Sequence, residues 1–171
     1  MIVRRLGRED AEAYRRLCLQ LDRETPYRLY GPGERLDVLR VYAEEIDAIV
    51  RNPRSCMIAA EENGELVGYL AAYGRSAPRV AHVVTVAVAI LQSHTGRGIG
   101  RRLFEALEAW ARGIGVRRID LTVMTDNEPA LKLYTRLGFC FEGRKRESMR
   151  FGTRYVDEFY MSKLLAPEAR P

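Results

Sequence analysis

Cysteine is scarce in this chain, histidine is scarcer, and long apolar runs are missing. The three cysteines, Cys18, Cys56 and Cys140, are odd in number and far apart. That fits neither a disulfide framework nor a metal cluster, so they read as small core hydrophobes. Two histidines, His82 and His94, are too few for a zinc site, and no metal is expected. No stretch approaches the ~20 apolar residues of a membrane helix. The opening MIVRRLGRED turns charged at residue 4, unlike a secretory leader, so the expectation is a cytoplasmic protein with no membrane partner.

What is present fits one globular domain. The chain has 171 residues, 47% hydrophobic and 30% charged, which is enough to bury a core. The expected domain covers 1–165, followed by a frayed tail, 166–171. The net charge of +5 comes from 28 basic and 23 acidic residues. Such a balance suggests an anionic partner, either nucleic acid or a polyphosphate cofactor, or simply a solvated basic face.

Periodicity sets the element order. IVRRL (2–6) reads as a short strand. EDAEAYRRLCLQLD (9–22) places Ala13, Leu17 and Leu21 on one helical face, and the helix should stop before Pro26. A turn-rich piece with two tyrosines follows (25–33), then a second helix over 34–51. CMIAAEENGELVGYLAAYG (56–74) is a hairpin about Asn63-Gly64. VAHVVTVAVAIL (80–91) is almost continuously apolar, which predicts a strand at the middle of a sheet, buried on both faces. Residues 98–112 form an amphipathic helix, 117–125 a strand, and 126–137 a helix capped by Asp126 or Asn127. Two last strands, 139–149 and 154–165, make a hairpin. The fold class is therefore α/β (α+β): a mixed, mostly antiparallel sheet of about seven strands with about four helices.

Between the central strand and its helix lies TGRGIGRR (95–102). A helix start offers unpaired N–H groups and a positive dipole end. Gly96, Gly98 and Gly100 would let the backbone approach a bulky anion. The loop reads either as a phosphate cradle or as a flexible turn on a basic surface. It lacks the Lys-Ser/Thr of a P-loop. Counted from Gly96, the sixth residue is Arg101, so the dinucleotide fingerprint fails too.

VAVAILQSHTGRGIGRRLFEAL resembles the signature of the GCN5-related N-acetyltransferase (GNAT) superfamily, a central strand running into Q/R-x-x-G-x-G/A and a helix. Residues 95–100 match at Gly98 and Gly100 and depart at Thr95, where Gln or Arg is usual. DNEPALKLYTRLGF (126–139) resembles a second family segment, N-x-x-A-x-x-x-Y-x-x-x-G-F, through Asn127, Ala130, Tyr134, Gly138 and Phe139. The resemblance implies acetyl-CoA as cosubstrate. Its pyrophosphate would rest on backbone N–H groups of Thr95, Gly96, Arg97, Gly98, Ile99, Gly100 and Arg101. Its pantetheine arm would lie along Val88, Ile90 and Leu91 and touch Asn127, with Tyr134 facing the thioester sulfur.

That chemistry is acyl transfer to a neutral amine. The N–H near Ile90 is the candidate donor to the thioester oxygen. Tyr134 is the candidate general acid for the leaving thiolate that the resemblance implies; spacing alone favours reading it as a packing residue on an amphipathic helix. The strand residues 83–91 hold no carboxylate, so His82 or Glu24 is the candidate base, and low-pKa amines such as amino acids or N-termini are expected acceptors. Tyr27 and Tyr30, with Glu24, would wall the acceptor cleft. Dimerisation is common in similar proteins, and the final VDEFYM is a candidate edge for it. A non-catalytic CoA sensor and a nucleic-acid module using RGIGRR and GRKRES are the competing classes.

Overall fold

The computed structural model describes residues 1–165; the expected tail lies outside the described residues. The order is β1 (Ile2–Arg5), α1 (Ala11–Glu24), α2 (Leu39–Arg51), β2 (Cys56–Glu62), β3 (Glu65–Gly74), β4 (Val83–Ile90), α3 (Ile99–Gly113), β5 (Arg118–Met124), α4 (Glu128–Arg136), β6 (Cys140–Phe151) and β7 (Arg154–Leu164). The strands form one sheet, β1-β2-β3-β4-β5-β7-β6. Only β4 and β5 run parallel. No described helix is long and apolar enough to cross a membrane.

Local chemistry explains most boundaries. α1 buries Ala11, Tyr14, Leu17, Cys18 and Leu21 at helical spacing. It stops at Glu24 because Pro26 holds Thr25 extended. The β2–β3 turn has positive φ at both Asn63 and Gly64, the geometry that joins two twisted strands with two residues. α2 starts five residues later than expected. Arg35 is drawn instead to Asp22, and Glu34 accepts from the Gly31 N–H at 2.8 Å. Leu36 and Val38 stay exposed, so no apolar face extends the helix.

Both sheet faces are used, unequally. Tyr69 of β3 packs edge-on against Tyr14 of α1. Its cross-strand partner Ala89 shares that face. Ile90 points to the opposite face, where its side chain lies against Gly100 of α3. Thus α1 and α2 cover one side of β2 and β3, and α3 covers the other. Cys18 and Cys56 are buried as expected, but Cys140 is exposed on β6.

Two strand expectations need correction. β4 is central, yet only Val83, Val84 and Val86 are buried; Ala87 is exposed and Val88–Ile90 are partly so. The last strand is not an edge, because β7 is paired by β5 on one side and β6 on the other. The edge at this end of the sheet is β6, which is largely exposed and carries Arg144, Lys145, Arg146 and Arg150. Charges there discourage edge-to-edge pairing.

Candidate active site

The reason β4 is exposed at its end is that β5 leaves it. The two strands pair only at Val83, Val84 and Thr85 against Arg118, Ile119 and Asp120. Beyond that point β4 keeps β3 as its partner and β5 keeps β7. A slot opens through the sheet between 86–90 and 121–124. The Leu91 N–H donates to Val67 O at 2.9 Å. Strand alternation therefore turns the N–H and C=O groups of Val88 and Ile90 away from β3 and into the slot.

At the end of β4 the chain enters the glycine loop. Gly96 and Gly98 have φ of 73° and 77°, and a Cβ on either would meet nothing within 4 Å. Gly98 is the left-handed N-cap of α3, and no side chain caps the helix. The first bond back is Arg102 N–H to Gly98 O at 3.2 Å. The N–H groups of residues 96–101 consequently find no acceptor among the described residues. Unpaired donors in front of open space, at the positive end of a 15-residue helix, fit a pyrophosphate well. The arginines contribute less than expected. Arg97 pairs with Glu62 at 2.9 Å, Arg101 with Glu105 at 2.7 Å, and Arg102 reaches Met1 O at 3.4 Å. Gly100 has a different task. A Cβ there would lie 2.7 Å from Leu133, so it lets α4 close against α3.

Tyr134 follows Leu133 on that packed turn. It is 7% exposed and lies between the rings of Phe104 and Phe139, at centroid distances of 5.9 and 5.8 Å. Its hydroxyl makes no hydrogen bond to any described residue, and burial pushes its pKa up. A phenol in that setting keeps its proton at neutral pH and has a free donor to offer.

A family model described as the acetyltransferase (GNAT) family matches residues 18–139. The chain belongs to the GNAT family. Among curated relatives, the L-amino acid N-acetyltransferase AaaT of Escherichia coli is 36% identical over 107 residues, 60% of this chain and 64% of that protein. The N-alpha-acetyltransferase RimI of Mycobacterium tuberculosis is 41% identical over 101 residues, 58% of this chain and 61% of that one. The chain thus spans less than two-thirds of the length of these relatives. A GNAT acetyltransferase from Streptococcus pneumoniae superimposes with a TM-score of 0.89 at 23% identity, covering 96% of this chain and 99% of that one. A Salmonella typhimurium protein, yncA, solved with acetyl-CoA, gives 0.84 at 22%, covering 99% and 96%. At these identities the likeness is one of fold.

Within this GNAT frame, the residues singled out from sequence separate into those the slot gathers and those it does not. Asn127 is the α4 N-cap; its side chain accepts from the Ala130 N–H at 3.3 Å, so its Oδ1 has a structural task. Glu24 accepts from the Gln92 N–H at 2.8 Å, just past β4. Tyr27 donates to Asp126 O at 3.2 Å, just past β5. Residues 24–27 therefore bridge the mouth of the slot from rim to rim. Tyr30 stacks under Arg35 at 4.5 Å. Thr95 spends its hydroxyl on Gln92 O at 2.9 Å.

His82 is not brought there. It is exposed at the start of β4, where its carbonyl accepts from the N–H groups of Arg117 and Arg118. Eight residues of strand separate it from Ile90, roughly 26 Å at ~3.3 Å per residue. The base role expected for His82 is withdrawn on that ground. Gln92 and Asp22 were missed. Asp22 is 2% exposed and binds Arg28 at 2.5 Å and Arg35 at 2.7 Å, fastening the 25–38 segment to α1. A buried carboxylate on an amphipathic helix at least signals a required cation.

Proposed function

We propose that this protein is an acetyl-CoA-dependent N-acetyltransferase whose acceptor is a primary amine of low pKa, an amino acid or a protein N-terminus. The observation that carries this is a single path of unpaired loop N–H groups running into a slot lined by free strand amides; Tyr134, on the helix whose Leu133 packs against Gly100, supports it with a hydroxyl that has no partner among the described residues. Acetyl-CoA, when bound, supplies an activated acyl group on a thiol. Residues 96–101 would hold its pyrophosphate by backbone donors, and Val88 and Ile90 would pair with its arm. The Ile90 N–H would hold the thioester oxygen. Tyr134 would give its proton to the departing sulfur, burial keeps that proton in place until then, and the proton shed by the acylated nitrogen would pass through solvent to restore the phenol.

No carboxylate stands on β4, and Glu24 is already committed to Gln92 and Gln20. The amine must then supply its own neutral fraction. The α-amino group of a peptide N-terminus, with a pKa near ~8, has about two hundredfold more of it at pH 7 than a lysine-type amine near ~10.4; a free amino acid gains less, because its own carboxylate stabilises its ammonium form. The names of the two curated relatives, which specify L-amino acids and N-alpha groups, agree with this preference. A cytoplasmic location would give it ready access to acetyl-CoA. A homodimer, if formed, would need a surface other than β7, and sedimentation of the full chain reads this directly.

The first test is thermal stability against acetyl-CoA. At about a hundred times Kd, native-state binding contributes about 2.7 kcal/mol, a rise of roughly 5–10 °C for a chain this size. No rise at millimolar acetyl-CoA would remove the proposal. Thiol release with an amine panel comes next, and tight binding without turnover on any amine would favour the non-catalytic sensor. The nucleic-acid reading has less support. Arg144 and Lys145 of β6 are paired with Asp157 and Glu158, as are Arg97 and Arg101 with glutamates, which leaves Arg102 and Arg146 as the basic residues of these two stretches without an ion pair among the described residues, too few for a phosphate-tracking stripe.

The cradle has its own variant. Gly98→Val puts a β-branched residue at φ 77°, which costs about 1–3 kcal/mol of stability and turns the donors away. The expected result is a lower melting temperature and a Kd for acetyl-CoA raised by about tenfold or more, read by calorimetry. An unchanged Kd would show that the donors are not the anchor.

A further inference from the structure

The net charge of +5 is not spent at the glycine loop. Arg97 and Arg101 are held there by glutamates, and the cradle is made of backbone donors. The surplus lies at the opposite end of the sheet, where β2, β4 and β5 begin and β3 ends. Three stretches meet there, 51–55, 74–82 and 113–118. They carry six arginines and no aspartate or glutamate. Arg51 is paired with Asp47 of α2, and Arg118 with Asp120 and Glu142. Those two carboxylates line a cavity of about 320 Å³ with Arg75, but Arg118 already answers both. Arg54, Arg75, Arg79 and Arg117 have no ion pair among the described residues. Setting these four aside leaves 24 basic residues against 23 acidic ones, so nearly all of the net charge sits at this end.

The arginines are fastened in place. Asn52 Oδ1 accepts from the Arg54 N–H at 2.9 Å, and Asn52 Nδ2 donates to Gly74 O at 3.2 Å. The Gly74 N–H donates to Ser55 Oγ at 2.9 Å, and the Arg54 guanidinium donates to Ala81 O at 2.8 Å. A Cβ on Gly74 would lie 1.9 Å from Arg54 O, so glycine is what lets the two loops touch. The His82 carbonyl accepts from the N–H groups of Arg117 and Arg118. Like charges are thus held side by side, which costs stability unless a counter-charge answers them.

Their spacing indicates the partner. The four arginines stand at the ends of β2, β3, β4 and β5, which are adjacent in that order. They span three interstrand steps, roughly 14 Å at ~4.8 Å each. Over ~14 Å, one strand of a nucleic-acid duplex carries about four phosphates. Guanidiniums suit them, because the planar fork bonds two phosphate oxygens at once. A membrane is disfavoured: none of the large exposed apolar side chains falls in these stretches, so nothing would enter the acyl layer.

We propose that this end of the sheet is a docking face for the phosphate backbone of a nucleic-acid duplex, recognised by charge and not by sequence. It lies a whole strand away from the cradle, so a docked duplex leaves the glycine loop open. The inference goes beyond the transferase reading and does not depend on it.

The test measures binding of the full chain to a short duplex RNA, and to the duplex DNA of the same sequence, by fluorescence anisotropy across a salt series. The expected Kd is about 1–100 µM near physiological salt, with a slope of log K against log salt of about −3 to −4 for either duplex. Arg75→Gln and Arg117→Gln should each reduce that slope by about 0.9, and the triple variant that adds Arg79→Gln should bind about tenfold or more weakly. These three side chains are exposed, so melting temperature and the Kd for acetyl-CoA should stay at their parent values. Arg146→Gln, on the exposed β6, should leave the slope as it is. No binding of either duplex at ~0.05 M salt, a slope indifferent to the three arginines, or an equal loss in Arg146→Gln would overturn the proposal. Tighter binding to polyglutamate or to phosphatidylserine vesicles at equal charge concentration would also overturn it, by naming an acidic protein or a membrane as the occupant. If acetyl-CoA alone fails to bind, the transferase reading falls and this one stands.

Discussion

Tyr134→Phe is expected to lower kcat for amine acetylation by about two to four orders of magnitude, the usual worth of a placed general acid. The ring packs between Phe104 and Phe139, and Phe keeps that packing. The hydroxyl makes no hydrogen bond among the described residues that folding would lose. Melting temperature and the Kd for acetyl-CoA should therefore stay close to the parent. That split separates chemistry from structure: a variant with full kcat would return Tyr134 to a packing role. The pH profile adds a second reading. Burial pushes the phenol pKa up, so the hydroxyl stays protonated throughout the neutral range. A rise of rate with pH should then follow the amine losing its proton, not the tyrosine.

Asp22→Ala is expected to cost the most stability. Asp22 is buried between Arg28 and Arg35, whose side chains are only 7% and 15% exposed. Removing one partner from a buried ion cluster leaves uncompensated charge, typically about 3–5 kcal/mol. For a chain of this size that is roughly 6–20 °C in melting temperature. Arg28 also reaches the Tyr69 hydroxyl at 3.3 Å, so the loss should loosen the bridge that Tyr27 makes to Asp126. Urea unfolding measures the first effect and KM for the amine the second. A change under about 1 kcal/mol would mean the two arginines find water instead.

Much of the fold was legible because its determinants are local. The Asn63-Gly64 turn needs two positive φ values, and those residue types tolerate them. The order of strands and helices followed from apolar periods. The Asn127 cap and the arrest of α1 before Pro26 followed from neighbours within three residues. α2 failed at its start because Arg35 answers to Asp22, thirteen residues earlier, and no helical period records that. β4 looked uniformly buried because apolar β-branched residues read alike whether a strand is covered or is losing its neighbour. His82 looked usable because sequence distance from the loop hides a whole strand of separation.

By itself, then, the sequence determined the donors of the site. A left-handed glycine before a helix leaves N–H groups unpaired wherever that helix sits, and the residue types that allow it stand next to one another. It also determined that Tyr134 lies on a short capped helix. Only the tertiary structure decided where the slot opens and which residues bridge its mouth. Glu24 meets Gln92 across 68 residues and Tyr27 meets Asp126 across 99. Arg75, Asp120 and Glu142 share one cavity although they come from three separate stretches of chain. Such meetings are set by which strand pairs with which and where the pairing ends, and that balance is struck by packing across the whole sheet.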